Sequence, residues 1–333
     1  MEYIIISAVL LLAELIYFRI ADKCNIIDKP NARSSHSKVV IRGGGIIYIL
    51  GMWLYAAFFG VELWPFLLGL TLVAGISFVD DIHSLPDSVR LVVQFVAMAL
   101  VFYGWGILQW DMWWAIIIAL IVCVGATNIY NFMDGINGIN GGYTAAVLIP
   151  LLVLSFKLQD SSGTSFVNPS LIIVALIADL VFCFFNYKPK GKAKCFAGDV
   201  GSVGAAFIVI YVLGKLILTT GDFTWIVFLV VYGVDACLTI CHRIMLHENL
   251  GEAHRKHAYQ LMANELGMEH TVVSTIYTVL QLVIAFGMIA IPNTVGWHWG
   301  YLVVVAAVLC VAYVVFMRKY YHLHEEYLAS LKK

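Results

Sequence analysis

Apolar residues fall along this chain in long blocks separated by short polar stretches. Eleven blocks stand out, at 2–20, 43–60, 65–79, 89–104, 112–128, 142–156, 169–185, 201–219, 225–241, 272–290 and 297–317. A helix that crosses a bilayer needs about 20 mostly apolar residues, and each block is read as one such helix, with 65–79 the shortest. The predicted fold is all-α: a polytopic integral membrane protein of about eleven transmembrane helices, forming one domain over residues 1–333.

Composition narrows this further. The 333 residues are 62% hydrophobic and only 12% charged, with a mean hydropathy of +0.89, which excludes an ordinary soluble protein. Formal net charge is −1, but the placement of lysine and arginine says more than the sum. With the N-terminus outside, inner loops and span ends collect Arg19, Lys23, Lys29, Arg33, Lys38, Arg42, Arg90, Lys188, Lys190, Lys192, Lys194, Arg243, Arg255, Lys256, Arg318, Lys319, Lys332 and Lys333. That is 18 of the 20 basic residues, the asymmetry expected of cytoplasmic loops. The expected topology is therefore N-terminus outside and C-terminus cytoplasmic. No basic residue precedes the first block, while Arg19 and Lys23 follow it, so it reads as an anchor rather than a cleaved signal. None of the seven cysteines forms C-x-x-C, and all lie in spans or on the inner side, against disulfides and a zinc site.

Against this apolar background the polar residues at the inner ends of the blocks carry the chemistry. In Asn128-Ile129-Tyr130-Asn131-Phe132-Met133-Asp134-Gly135-Ile136-Asn137-Gly138-Ile139-Asn140 a polar residue recurs every third position. On a helix, Asn128, Asn131 and Asp134 fall near one face; the glycines that follow predict a turn. Amide and carboxylate oxygens suit a hard cation, although helix caps and a polar loop would use the same residues. The 65–79 block runs into Asp80 and Asp81, adjacent carboxylates whose repulsion calls for a cation or an arginine nearby. Arg90 follows nine residues after Asp81.

Two glycine-bearing inner loops join them. Asp28-Lys29-Pro30-Asn31 leads to Arg42-Gly43-Gly44-Gly45, where basic side chains and backbone N–H groups are able to meet an anion. Four lysines precede Gly198-Asp199-Val200-Gly201-Ser202, where Asp199 is expected to cap the next helix and the N–H groups of Gly201 and Ser202 to face an anion. It is not a Walker loop, because no Gly-Lys-Ser/Thr follows, and the lysines equally suit anionic lipid. Asp235, an ionisable residue near the inner end of a span, either joins the site or has a structural partner. In the last inner loop His247-Glu248 has Gly251 where H-E-x-x-H needs histidine. His254, Arg255, Lys256 and His257 form a cationic cluster better suited to phosphate and sugar than to zinc. A transporter would predict an inverted repeat and a midplane site; here the motifs cluster at the inner face.

Taken in order from Asp28 to Gln260, these motifs resemble the polyprenyl-phosphate N-acetylhexosamine-1-phosphate transferases, glycosyltransferase family 4. The resemblance rests on Asp-Lys-Pro-Asn with its Gly-Gly loop, Asp80-Asp81, Asn128-x-x-Asn131-x-x-Asp134-Gly135, Gly198-Asp199-Val200-Gly201-Ser202 and the histidine-bearing last loop. It implies an enzyme that moves HexNAc-1-phosphate from a UDP-amino sugar to undecaprenyl phosphate and releases UMP, at the cytoplasmic face of the cell inner membrane. Asn131 and Asp199 are then expected on Mg²⁺, with Mn²⁺ as the alternative ion. Asp80, Asp81 and Arg90 are the expected catalytic residues, Arg90 standing where the dolichyl enzyme has a lysine on the diphosphate. Asn128, Asp134, Asn137, Lys29, His254, Arg255 and His257 are expected to bind substrate, Asn137 on uridine; Asp134 suits metal, nucleotide or capping. Direct attack by the lipid phosphate and a covalent Asp–phosphosugar intermediate are the alternative routes. Glu252-Ala253-His254-Arg255-x-His257-Ala258-Tyr259-Gln260 looks like the branch that starts O-antigen and capsule units, so UDP-FucNAc or UDP-QuiNAc derivatives stand beside UDP-GlcNAc as donors. Expected partners are that donor, undecaprenyl phosphate and the lipid bilayer, with no nucleic acid; a homodimer is left open.

Overall fold

The computed structural model describes residues 1–28, 39–159, 163–252 and 254–331. In chain order its helices are α1 (Glu2–Lys23), α2 (Ile46–Phe59), α3 (Trp64–Ile82), α4 (Asp87–Trp105), α5 (Trp113–Phe132), α6 (Ile139–Lys157), α7 (Pro169–Asn186), α8 (Gly198–Thr220), α9 (Val230–Met245), α10 (Ala258–Asn264), α11 (His270–Ala290) and α12 (Val295–Leu331). Among the described residues ten helical segments are long and apolar enough to cross a membrane, by length and composition, and α2 is a shorter apolar helix. The polytopic all-α architecture is as expected, but the short member is not. The 65–79 block becomes a 19-residue helix that starts with Trp64-Pro65 and runs through Asp80 and Asp81. The 43–60 block yields only 14 helical residues, because Gly43-Gly44-Gly45 is spent on a close crossing rather than on helix.

That crossing decides where the site lies. A Cβ on Gly45 would fall 2.2 Å from the Cα of Gly201, and one on Gly201 would fall 2.5 Å from the Cα of Gly45. The starts of α2 and α8 therefore touch backbone to backbone. The approach is fastened by Phe196 N–H to Ile41 O (2.8 Å), Gly44 N–H to Phe196 O (2.9 Å) and Gly45 N–H to Ala197 O (3.1 Å). A two-stranded antiparallel pair, β1 (Ile27–Asp28) on β2 (Val40–Ile41), leads into it, with Ile27 opposite Ile41.

Helix α8 is the central one. Residues Val200 to Leu213 are all buried, and α2, α3, α5 and α6 pack around it. A helix that is apolar on every side belongs inside a bundle. Successive helices alternate in direction. The ends of α1, α3, α5, α7 and α9 and the starts of α2, α4, α6, α8 and α11 therefore gather at one end of the bundle, where every polar motif lies. Helix α12 has 37 residues, about 55 Å at 1.5 Å per residue, against about 30 Å of hydrocarbon. The excess projects at the motif-bearing end.

Candidate active site

Two neighbouring carboxylates open the site. Consecutive helical residues point about 100° apart, so Asp80 and Asp81, in the last turn of α3, reach different partners. Asp80 accepts Leu85 N–H (2.6 Å) through Oδ1, which holds the turn after α3, and Arg90 Nη1 (2.5 Å) through Oδ2. Asp81 accepts Asp199 N–H (2.9 Å) and Val200 N–H (3.0 Å). The first N–H groups of a helix have no partner within it, so Asp81 caps α8 from another helix. This corrects the expectation that Asp199 caps α8 itself. The glycine amides are likewise not left for an anion, since Gly44 and Gly45 bond the 196–197 backbone. Gly198 has φ +70°, and a Cβ there would sit 2.5 Å from Asp81 Oδ2 and 2.8 Å from Gly43 N. Only glycine lets Asp81 come this close.

With its backbone capped, Asp199 turns its carboxylate to two guanidiniums. Arg90 Nη1 donates to Asp199 Oδ2 (2.9 Å) as well as to Asp80, and so bridges the two. Arg42 Nε meets Asp81 Oδ1 at 2.7 Å, and its Nη2 lies 3.5 Å from Asp199 Oδ1. Burial alone would lower the arginine's pKa, but the charges of Asp81 and Asp199 outweigh it and raise it, so Arg42 stays cationic. Arg42 was read in sequence only as one more basic loop residue; its contact with Asp81 spans 39 positions and left no local signal.

The end of α5 brings two more groups. Asn131 Oδ1 accepts the Ser202 hydroxyl (3.1 Å), which ties α5 to α8. Asp134 follows in the turn, where its N–H bonds Asn131 O (3.1 Å). Burial, and then the neighbouring Asp199 and Asp81 carboxylates, push its pKa up to about 8. Among the described residues no three carboxylate, imidazole or thiolate groups stand ready as a ligand set. The charge is nevertheless unbalanced: Asp80, Asp81 and Asp199 share Arg42 and Arg90, and Asp134 stands beside them with its proton held by burial and by their charge. Three carboxylates against two guanidiniums, with a fourth carboxyl able to ionise, leave an excess of negative charge that a divalent cation fits, with oxygen donors of the kind that suit a hard ion.

Beside this centre lies a cavity of about 550 Å³ lined by Asp87, Arg90, Asn128, Arg243, His254 and His257, among others. It gathers four of the expected residues: Arg90, Asn128, His254 and His257. Asn128 is fixed by donating to Gln94 Oε1 (2.7 Å) and Val124 O (2.8 Å). An apolar groove is lined by the adjoining stretches of α5 and α9, including Gly125, Ile129, Gly233 and Cys237.

Several expected residues face elsewhere. Asn137 is buried, and its side-chain amide donates to Lys188 O (2.9 Å) and Pro189 O (3.1 Å). Arg255 pairs with Glu265 (2.9 Å) and stacks over Tyr327, 4.2 Å from the ring centre. Lys256 pairs with Glu248. Burial, then His257 and Arg243, lower the pKa of His254 to about 3. His254 is therefore neutral, and the expected cationic cluster is dispersed. Buried Arg243 takes its place on the cavity wall. It donates to Glu248 (3.1 Å), Asn249 O (2.5 Å), Leu250 O (3.3 Å) and Glu252 O (3.0 Å), strapping the loop over the opening. Lys29 lies outside the described residues.

Carboxylates and guanidiniums thus pack together at one mouth of a helical membrane bundle. Residues 63–217 match the model described as glycosyl transferase family 4, and this match and the relatives indicate a phosphotransferase enzyme of the membrane. It is 25% identical over 303 residues to the probable undecaprenyl-phosphate N-acetylglucosaminyl 1-phosphate transferase of Bacillus subtilis, covering 84% of this chain and 81% of that one. It is 24% identical over 277 residues to the phospho-N-acetylmuramoyl-pentapeptide-transferase of Thermotoga maritima (76% and 85%). Over 212 residues it is 26% identical to the undecaprenyl-phosphate alpha-N-acetylglucosaminyl 1-phosphate transferase of Yersinia pestis (59% and 56%).

Proposed function

We propose that this enzyme transfers HexNAc-1-phosphate from a UDP-N-acetyl-amino sugar to undecaprenyl phosphate, as one integral domain of the cell inner membrane with its site on the cytoplasmic face. The donor is UDP-GlcNAc or a 6-deoxy relative such as UDP-FucNAc or UDP-QuiNAc, and the product starts a lipid-linked surface glycan of the O-antigen or capsule kind. The observation that carries this reading is the Arg42–Arg90 carboxylate centre at the edge of a polar cavity, with an apolar groove lined by the adjoining stretches of α5 and α9. A lipid phosphate needs a polar end and an apolar trough of this sort, and a nucleotide sugar needs the cavity between them.

In the reaction an oxygen of the lipid phosphate attacks the sugar-proximal phosphorus. A new P–O bond forms, the diphosphate P–O bond breaks, and UMP leaves with its electron pair. Charge stabilisation and positioning supply most of the catalysis in phosphoryl transfer. Arg90 and Arg42 lie where the diphosphate charge gathers, and Asp80 and Asp81 hold them in place. A divalent cation, Mg²⁺ or Mn²⁺, held by Asn131 and Asp199 with Asp134 beside them, would neutralise charge on the diphosphate. Neutral His254, and His257 beside it, offer ring nitrogens to the donor from the cavity wall.

The test is UMP release in detergent from a panel of UDP-amino sugars with undecaprenyl phosphate. Turnover with at least one sugar, its loss in EDTA, and its loss in Asp199→Asn protein that still inserts are expected. A transporter or a lipid-binding scaffold releases no UMP from any of them, and full activity of Asp199→Asn would remove the site assignment.

A further inference from the structure

Asp235 is 3% exposed, sits in α9, and every partner of its carboxylate is a possible donor. Oδ1 is met by Thr239 Oγ1 (3.2 Å), Ala258 N–H (3.1 Å) and His257 Nδ1 (3.2 Å). Oδ2 is met by Tyr277 Oη (2.6 Å) and Tyr259 N–H (3.4 Å). These groups come from α9, the loop before α10, α10 itself and α11. Thr239 is held in turn by the Tyr313 hydroxyl of α12 (2.8 Å). A carboxylate only accepts hydrogen bonds, so a hydrogen bond at this contact needs the hydrogen on His257 Nδ1. Gln260 N–H, which bonds the His257 carbonyl at 3.0 Å, also reaches the His257 side chain in a capping box and competes with Asp235 for the imidazole.

His257 is 2% exposed, and its other ring nitrogen, Nε2, is buried without a hydrogen-bond partner. The residue lines the cavity shared with Arg90, Asn128 and Arg243. An unpaired buried polar atom is destabilising, and one beside a substrate-sized cavity points to a missing ligand. We propose that Asp235 is a positioning residue for the transfer reaction: its carboxylate takes the Nδ1–H of His257 and so commits Nε2 to the substrate in the cavity. The assignment of a substrate to that cavity rests on the transferase reading above. Which ring nitrogen of a histidine meets a ligand is set by the hydrogen bond the other one makes.

Ala258 N–H and His257 Nδ1 meet the same oxygen, Oδ1, so a plain helix cap and control of the imidazole are separated by the state of the imidazole rather than by loss of the cap.

Two measurements test this. The first does not depend on activity: nitrogen NMR of histidine-labelled protein in lipid, with the His257 signals assigned by their loss in His257→Gln. The native protein is expected to carry hydrogen on Nδ1 of His257, and Asp235→Leu, which offers no acceptor, to lose it there. A bare Nδ1 in the native protein, accepting from Gln260 N–H, overturns the proposal, and this holds even if Asp235→Leu does not fold. The second is a cycle of Asp235→Leu, His257→Ala and the double variant, read by UMP release. Loss of an outer partner of this kind costs about 10–100-fold. Asp235→Leu is expected to lose that much in kcat with KM for undecaprenyl phosphate within about threefold, and the double variant to be no worse than His257→Ala. Multiplying losses overturn it. If the wild-type enzyme releases no UMP from any donor, the transferase reading fails, and the NMR result still decides the Asp235–His257 relation.

Discussion

At the scale of single residues the site is organised by side chains that serve backbone and chemistry together. Asp81 caps α8 and holds Arg42; Arg90 joins Asp80 to Asp199. A substitution in this group alters a helix end along with the charge balance, so Asp199, whose carboxylate caps nothing, is the cleaner probe. His254 carries a pH prediction. Its pKa is lowered from the usual histidine value to about 3 by burial and by His257 and Arg243. Between those two values the unfolded chain binds the extra proton and the folded one does not, so stability rises with pH there. Its contribution is complete above about pH 6.5 and is lost as the pH falls toward 3. Melting temperatures in detergent at pH 7.5, 6.5 and 5.5 should fall more steeply for the native protein than for His254→Gln. Parallel curves would mean that His254 is protonated in the folded state.

At the scale of elements, α12 and α10 do work that hydropathy does not reveal. Beyond its apolar stretch α12 continues unbroken to Leu331, and its last turns lie against the histidine-bearing loop. His324 Nδ1 meets Glu265 Oε1 (2.9 Å), Glu265 holds Arg255, Arg255 stacks on Tyr327, and Lys256 lies over Tyr321. The loop is therefore clamped between Arg243 below and α12 above. Ending the chain after Lys319 removes every one of these α12 contacts but keeps an apolar stretch long enough to span. Such protein should still insert, while UMP release falls at least about tenfold, as when substrate-positioning groups are displaced by an ångström or so. Unchanged turnover would show that the clamp does not position the loop.

At the scale of the whole molecule, helix alternation gathers every polar motif at one end, and the proposed sidedness follows from the lysine and arginine distribution. Cys24, exposed just after α1, marks that end. In a variant that retains Cys24 alone, a membrane-impermeant maleimide should label inside-out vesicles and spare right-side-out ones. The reverse pattern would place the site outside the cell. The bundle was legible at this scale because a spanning helix must satisfy its own backbone in lipid, so an apolar run of about 20 residues declares itself without reference to its neighbours. The same reasoning placed 65–79 as the weakest member and missed that α2 is the short one, because the Gly45–Gly201 contact is a property of two segments and not of either.

The amino-acid sequence by itself determined the all-α membrane architecture, the end of the bundle where the polar motifs gather, and those motifs from Asp80 to His257, since each is written in a local run of residues. Tertiary structure alone decided which of those residues share a site. It brought Arg42 to Asp81 and Asp199, Asp81 to the start of α8 across 118 positions, and His257 to Asp235. It turned Asn137 toward Lys188 and Pro189, and Arg255 toward Glu265. The physical reason is that a buried charge or amide takes the partner that packing sets beside it, and packing depends on every helix at once.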